Sequence, residues 1–123
     1  MNRERALKVV LLLAGLLFCA GVYPLILMVK HDPSLAMMMS LYATLGIFLL
    51  LASQNPSAHR SLIAFAAWSS FAHGVVMARL AFHIPNERTG LLIAVAVLVL
   101  IGVTLIALAP AKPSQELPSV AGA

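Results

Sequence analysis

The chain has 123 residues, 62% of them hydrophobic and only 10% charged, and its mean hydropathy is +1.01. A soluble domain is about 45–50% apolar and about 25% charged, so too few polar groups remain here to wet a globular surface. The net charge of +4, eight Lys/Arg against four Asp/Glu, is scattered over segment ends with no aromatic-interleaved basic patch, which excludes nucleic acid and leaves the lipid bilayer as the partner.

A bilayer crossing takes about 20 apolar residues, so the length accommodates four crossings and no second domain. The sequence predicts one transmembrane domain over residues 1–109, with helices at about 7–29, 34–52, 60–83 and 90–109. Residues 110–123, rich in Pro, Ser and Gly, are expected to form a disordered cytoplasmic tail. The fold class is all-α, a four-helix transmembrane bundle. Membrane β-barrels need about 10-residue segments of alternating polarity, whereas these runs are uniformly apolar and twice as long.

The first crossing follows a basic opening of Arg3, Arg5 and Lys8. A cleaved signal peptide would share that opening, but the apolar run continues past Cys19 to Val29, beyond an ordinary signal core. Phe18 precedes Cys19 where a lipoprotein would place a small residue, so the segment reads as a retained helix. Cys19, the single cysteine, leaves no disulfide and no CxxC pair, and reads as a small buried hydrophobe. Pro24 should kink the helix near its far end.

Asp32 and Pro33 supply a cap and a first-turn proline for the second crossing. Its three methionines, Met37, Met38 and Met39, point in successive directions around a helix and read as packing or lipid-facing residues. Asn55 and Pro56 repeat the cap-and-proline pattern before the third crossing, where His59 and Arg60 read as anchors to anionic headgroups. The fourth crossing, Leu91 to Ala109, carries no charge. Arg3, Arg5, Lys8, Arg60 and Lys112 on one side outnumber Lys30, Arg79 and Arg88 on the other, which places both termini in the cytoplasm.

His73 is the residue of most interest. It falls about 15 Å from the outer end of the third crossing at 1.5 Å per residue. At about 100° per residue it shares a face with Ala66, Ser70 and Met77. Ala66, Ser70, Gly74 and Ala78 form a ladder of small residues that lets helices approach closely, so His73 should face the bundle interior. Tyr42 lies at a similar depth and Tyr23 somewhat shallower, and His73, Ser70, Tyr42 and Tyr23 make up a candidate ligand-binding cluster. The alternative is that a neutral imidazole bonds a neighbouring group and only fixes helix register. Arg79 is six residues on from His73, about 120° away, and reads as a snorkelling anchor.

His31, Asp32, His83 and Glu87 have metal-ligating side chains on the outer face, but they sit in two loops without i, i+4 pairing, and no metal site is assigned. No acidic residue lies inside a crossing, so the carboxylate of small proton-coupled antiporters is missing. Nor is there a nucleophile with a base and an orienting acid, so no catalytic residue and no cofactor is assigned, and His73 is alone at depth where a haem would want two histidines.

The stretch SLYATLGIFLLLASQNPSAHRSLIAFAAWSSFAHG (Ser40 to Gly74), with RERALKVVLLLAGLLF (Arg3 to Phe18), resembles an uncharacterised family of small bacterial four-helix inner-membrane proteins. The NPSAHRS turn and the AAWSS-x-AH segment are the most specific parts, and the general plan is similar to the DoxX-like group. The resemblance implies a multi-pass protein of the bacterial inner membrane and implies no activity. Two functions are therefore expected from different classes. The first is an accessory or assembly subunit that packs against itself, as a homo-oligomer, or against a larger membrane complex. The second is binding of a lipophilic small molecule, such as a quinone or a lipid, in a pocket around His73.

Overall fold

The computed structural model describes residues 2–110. Five α-helices make four crossings: α1 (Arg3–Ala20) and α2 (Val22–Met28) share the first, followed by α3 (Pro33–Ala52), α4 (Arg60–His83) and α5 (Arg88–Leu108). Short 3-10 turns, Pro56–His59 and Pro85–Glu87, lead into α4 and α5. The four spans are 20 to 28 residues long, all long and apolar enough to cross a membrane. At 1.5 Å per residue even the shortest reaches about 30 Å, the thickness of the hydrocarbon core.

Local chemistry sets the helix ends. α1 starts at Arg3, four residues before the expected Leu7, because the Asn2 side chain accepts a hydrogen bond from the Arg5 amide at 2.8 Å. Asp32 caps α3 in the same way, accepting from the Leu35 amide at 3.1 Å, with Pro33 in the first turn. Asn55 gives no side-chain cap, and Pro56 opens a 3-10 turn that delays α4 to Arg60. The first crossing breaks at Gly21, ahead of Pro24. Proline has no amide to offer the Ala20 carbonyl four residues back, and the chain tightens there, with the Gly21 amide bonding the Phe18 carbonyl at 3.1 Å.

The helices run up and down in sequence around a ring. α1 packs closely on α3, and α4 on α5. The α1/α5 and α3/α4 contacts that close the ring are thinner. Leu7, Leu11, Leu45, Leu49, Ile63 and Leu105 fill the centre, whereas residues such as Leu13, Ile26, Val75 and Leu100 point outward, where only lipid accepts them at no cost.

In a bilayer, lipid tails are as apolar as leucine, so helix pairs are held by close packing rather than by escape from water. Two glycines show this directly. A Cβ on Gly46 would stand 2.8 Å from the Gly15 carbonyl oxygen and 2.9 Å from the Cys19 nitrogen, so the backbones of α1 and α3 touch. Gly102 of α5 makes room for the Phe71 ring of α4, which would lie 2.6 Å from an added Cβ.

Arginines satisfy carbonyls that helix ends leave without partners. The Arg3 guanidinium donates to the carbonyls of Ala107 (3.2 Å) and Ala109 (2.8 Å), tying the start of α1 to the end of α5. Arg60 donates to the Pro110 carbonyl at 3.0 Å, a bond within the chain where a headgroup anchor was expected. Arg88 does the same for the Ala81 carbonyl at 2.8 Å. Both described ends of the chain therefore lie on one side of the bundle. Beyond Pro110 the expected disordered tail, Lys112 included, lies outside the described residues.

Candidate functional site

A cavity of about 500 Å³ opens between the four crossings, displaced toward the end where α3 and α5 begin. Every crossing contributes to it: Phe18 from α1, Met38 and Tyr42 from α3, His73 and Met77 from α4, and Leu98 from α5. Tyr42 and His73 are the only polar side chains among its lining residues, and none of these carries a carboxylate, an ammonium or a guanidinium.

The two polar groups are held by ring packing. The Tyr42 and His73 rings meet edge to face, centroids 4.8 Å apart and planes inclined at 68°. Phe18 packs on the other side of Tyr42 at 5.1 Å and 88°. Such aromatic pairs are worth about 0.5–1.5 kcal/mol beyond their buried area. The Tyr42 hydroxyl donates to the Ser69 carbonyl at 3.2 Å. In an α-helix that carbonyl also serves the amide four residues on, which here belongs to His73. Tyr42 thus steadies the turn that carries the histidine, and its proton is already used. Its oxygen keeps lone pairs to accept with.

His73 is different. Its Nδ1 is buried and has no hydrogen-bond partner. Buried polar atoms almost always find one, and leaving one unpaired costs about 1–3 kcal/mol. His73 therefore does not make, through Nδ1, the register-fixing bond to a serine, tyrosine or carbonyl that a purely structural histidine would make.

The other expected cluster members fall elsewhere. Ser70 is fully buried, but its hydroxyl turns back to the Ala66 carbonyl at 2.7 Å and does not line the cavity. Tyr23, 72% exposed, points away from the bundle. Depth alone groups it with His73, and depth does not fix which way a helical residue faces. Ala66, Ser70 and Gly74 are buried by the chain's own helices, with Ala78 partly so, and Gly74 approaches Val99 of α5. The small-residue ladder is used inside the bundle. His31, Asp32, His83 and Glu87 are all exposed, and among the described residues no three His, Cys, Asp or Glu side chains gather where a metal ion would need them. Arg79 is exposed on the outside of α4.

Sequence reasoning missed two contributions. Met38, Met39 and Met77 all line the cavity, giving it a flexible, polarizable wall suited to an apolar ligand of irregular shape. Phe18 supplies the ring that positions Tyr42. Tyr42→Phe keeps both ring contacts and removes one hydrogen bond, so it is expected to lower stability by about 1 kcal/mol in a detergent thermal melt. A melt equal to that of the parent protein would show that the Ser69 bond contributes nothing.

Four long apolar helices define a multi-pass membrane protein of the four-helix-bundle class. The chain belongs to a specific family within that class, described as "Family of unknown function (DUF6632)", which matches residues 4–120. No curated protein and no solved structure matches it.

Proposed function

We propose that this protein binds a lipophilic small molecule with a neutral, hydrogen-bonding head in the cavity beside His73. The observation that carries the reading is an apolar cavity of about 500 Å³ whose two polar lining side chains are Tyr42 and His73, the latter with a buried Nδ1 that has no hydrogen-bond partner. That volume lies within the usual range of small-molecule sites, about 300–1,000 Å³. An uncharged lining selects an uncharged head, because an ionised one would be stripped of water with nothing to neutralise it. A quinone, a quinol or a lipid alcohol meets the requirement.

The two side chains further narrow the head. A neutral imidazole offers one donor and one acceptor, whereas Tyr42, its proton committed to Ser69, offers only acceptor capacity. A hydroxyl-bearing head, as in a quinol, is served by both. A carbonyl-only head is served by the histidine alone. The proposed setting is a bacterial inner membrane with a plan similar to the DoxX-like group and both termini in the cytoplasm, which puts the cavity in the outer half of the bilayer.

The test is chemical extraction. Protein purified from its own membrane should yield a neutral-headed lipophile in near-stoichiometric amount by mass spectrometry, and His73→Leu should be depleted of it. Recovery of phospholipid alone from both would end the proposal.

A second reading, an accessory or oligomer-forming subunit, is favoured by a different observation. Trp68 is 65% exposed near the middle of α4. Tryptophan in membranes concentrates at the interfaces, where its indole N–H finds a polar partner, and lipid tails offer none. A neighbouring chain would cover it. A photoreactive group placed at position 68 should then crosslink a second polypeptide in native membranes, and capture of lipid alone would remove this reading.

A further inference from the structure

The cavity reaches the outside of the bundle at the seam between α1 and α5. Leu17 of α1 and Val97 of α5 both line it, yet they are 50% and 37% exposed. The same two residues line a second recess of about 220 Å³ that follows the outer seam between α1 and α5. This groove extends from Leu17 back to Val10 on one helix and from Val97 on to Thr104 on the other. Seven residues on each side amount to about 10 Å at the helical rise. Its surface is apolar except for Thr104, whose hydroxyl is spent on the Leu100 carbonyl at 2.6 Å. Between α3 and α4, the Tyr42 hydroxyl bonds the Ser69 carbonyl at 3.2 Å, one turn from His73.

From this continuity the geometry points to a ligand with a neutral hydroxyl-bearing ring at His73 and a single apolar chain that leaves between Leu17 and Val97 and lies in the Val10–Thr104 groove. The inference rests on the cavity reading and adds to it the ligand's shape and its route of exit. A glycerophospholipid does not fit, since it brings two chains to one groove and a phosphate to a lining without a cation. A chainless ring leaves the groove to membrane lipid. Because lipid tails fill such a groove almost as well, the chain contributes through fit rather than through escape from water, and its effect is moderate.

The experiment compares two probes on the full chain in one detergent: a benzoquinol bearing a decyl chain and the same benzoquinol without it. Partitioning of the decyl chain into micelles is identical for every variant, so the comparison between proteins isolates the groove. Tryptophans at two exposed positions that line the groove but not the cavity, Leu13→Trp with Leu100→Trp, fill the groove. The double variant should bind the decyl probe at least tenfold more weakly than the parent while holding the chainless probe unchanged. Equal behaviour toward the two probes, whether both are retained or both are lost, overturns the groove. A measurement that needs no substitution accompanies it. With a diazirine at the end of the decyl chain, irradiation of the parent protein should label residues 10–17 and 97–104, and label confined to α3 or α4 overturns the inference while leaving the cavity reading intact. If the parent binds neither probe, the cavity reading falls and this inference with it.

Discussion

Gly46→Val is expected to cause the largest loss of stability of any single substitution considered for this protein. An added Cβ meets the Gly15 carbonyl oxygen at 2.8 Å, the Cys19 nitrogen at 2.9 Å and the Phe18 Cβ at 2.9 Å. Two of these are backbone atoms of a helix, which cannot rotate aside, so α1 and α3 must separate. Separation loosens Leu11 and Phe18 against Leu45 and Leu49. Overpacking of a close-fitting core costs about 1–3 kcal/mol, and a clash against backbone belongs at the upper end. The effect should appear as a lower midpoint in thermal or SDS-driven unfolding followed by circular dichroism. Gly90→Ala is the control, since nothing lies within 4 Å of its added Cβ, and it should melt no lower than the parent. If the two variants melt together, the backbone contact between α1 and α3 is not what holds the first half of the bundle.

His73→Leu should move two measurements in opposite directions. Leucine removes a buried nitrogen that has no partner, so the ligand-free protein should melt at the same temperature as the parent or higher, by up to about 1 kcal/mol of stability. Binding of a quinol probe should weaken at least tenfold, since one hydrogen bond to a buried head is worth about 1.4 kcal/mol or more when lost. A histidine that merely fixes helix register predicts the reverse, a lower melt and no binding to lose. The sign of the stability change therefore separates the two roles before any ligand is identified.

The four crossings were legible because hydrocarbon imposes one strict demand, about 20 apolar residues with every backbone group satisfied within the helix. Asp32 with Pro33 marked the start of α3 for the same local reason that operates in water. The start of α1 is hidden in the sequence because Arg3 and Arg5 look like flanking charges, and the Asn2 cap that draws them into the helix is a single residue. Facing was the harder problem. In soluble proteins a polar stripe shows which side of a helix turns outward, but α1, α3 and α5 are apolar all round, and that signal vanishes. Depth alone therefore groups Tyr23 with His73, although it faces away. His73 was placed inward from the small residues beside it, and it does line the cavity. Gly15 and Gly46, one in each of two spans, were the only sequence trace of the tight α1/α3 contact. The methionines gave none, because convergence of Met38 and Met39 with Met77 depends on how α3 and α4 meet.

The bond from Arg3 to the carbonyls of Ala107 and Ala109 joins residues more than a hundred positions apart. During synthesis the α1/α3 pair and the α4/α5 hairpin can each settle as soon as their own segments enter the bilayer, but this clasp waits for residue 109 to leave the ribosome. The chamber around His73 takes walls from both halves, so it comes into being only with that last docking step. Nascent chains stopped short of α5 would hold the histidine without the room around it.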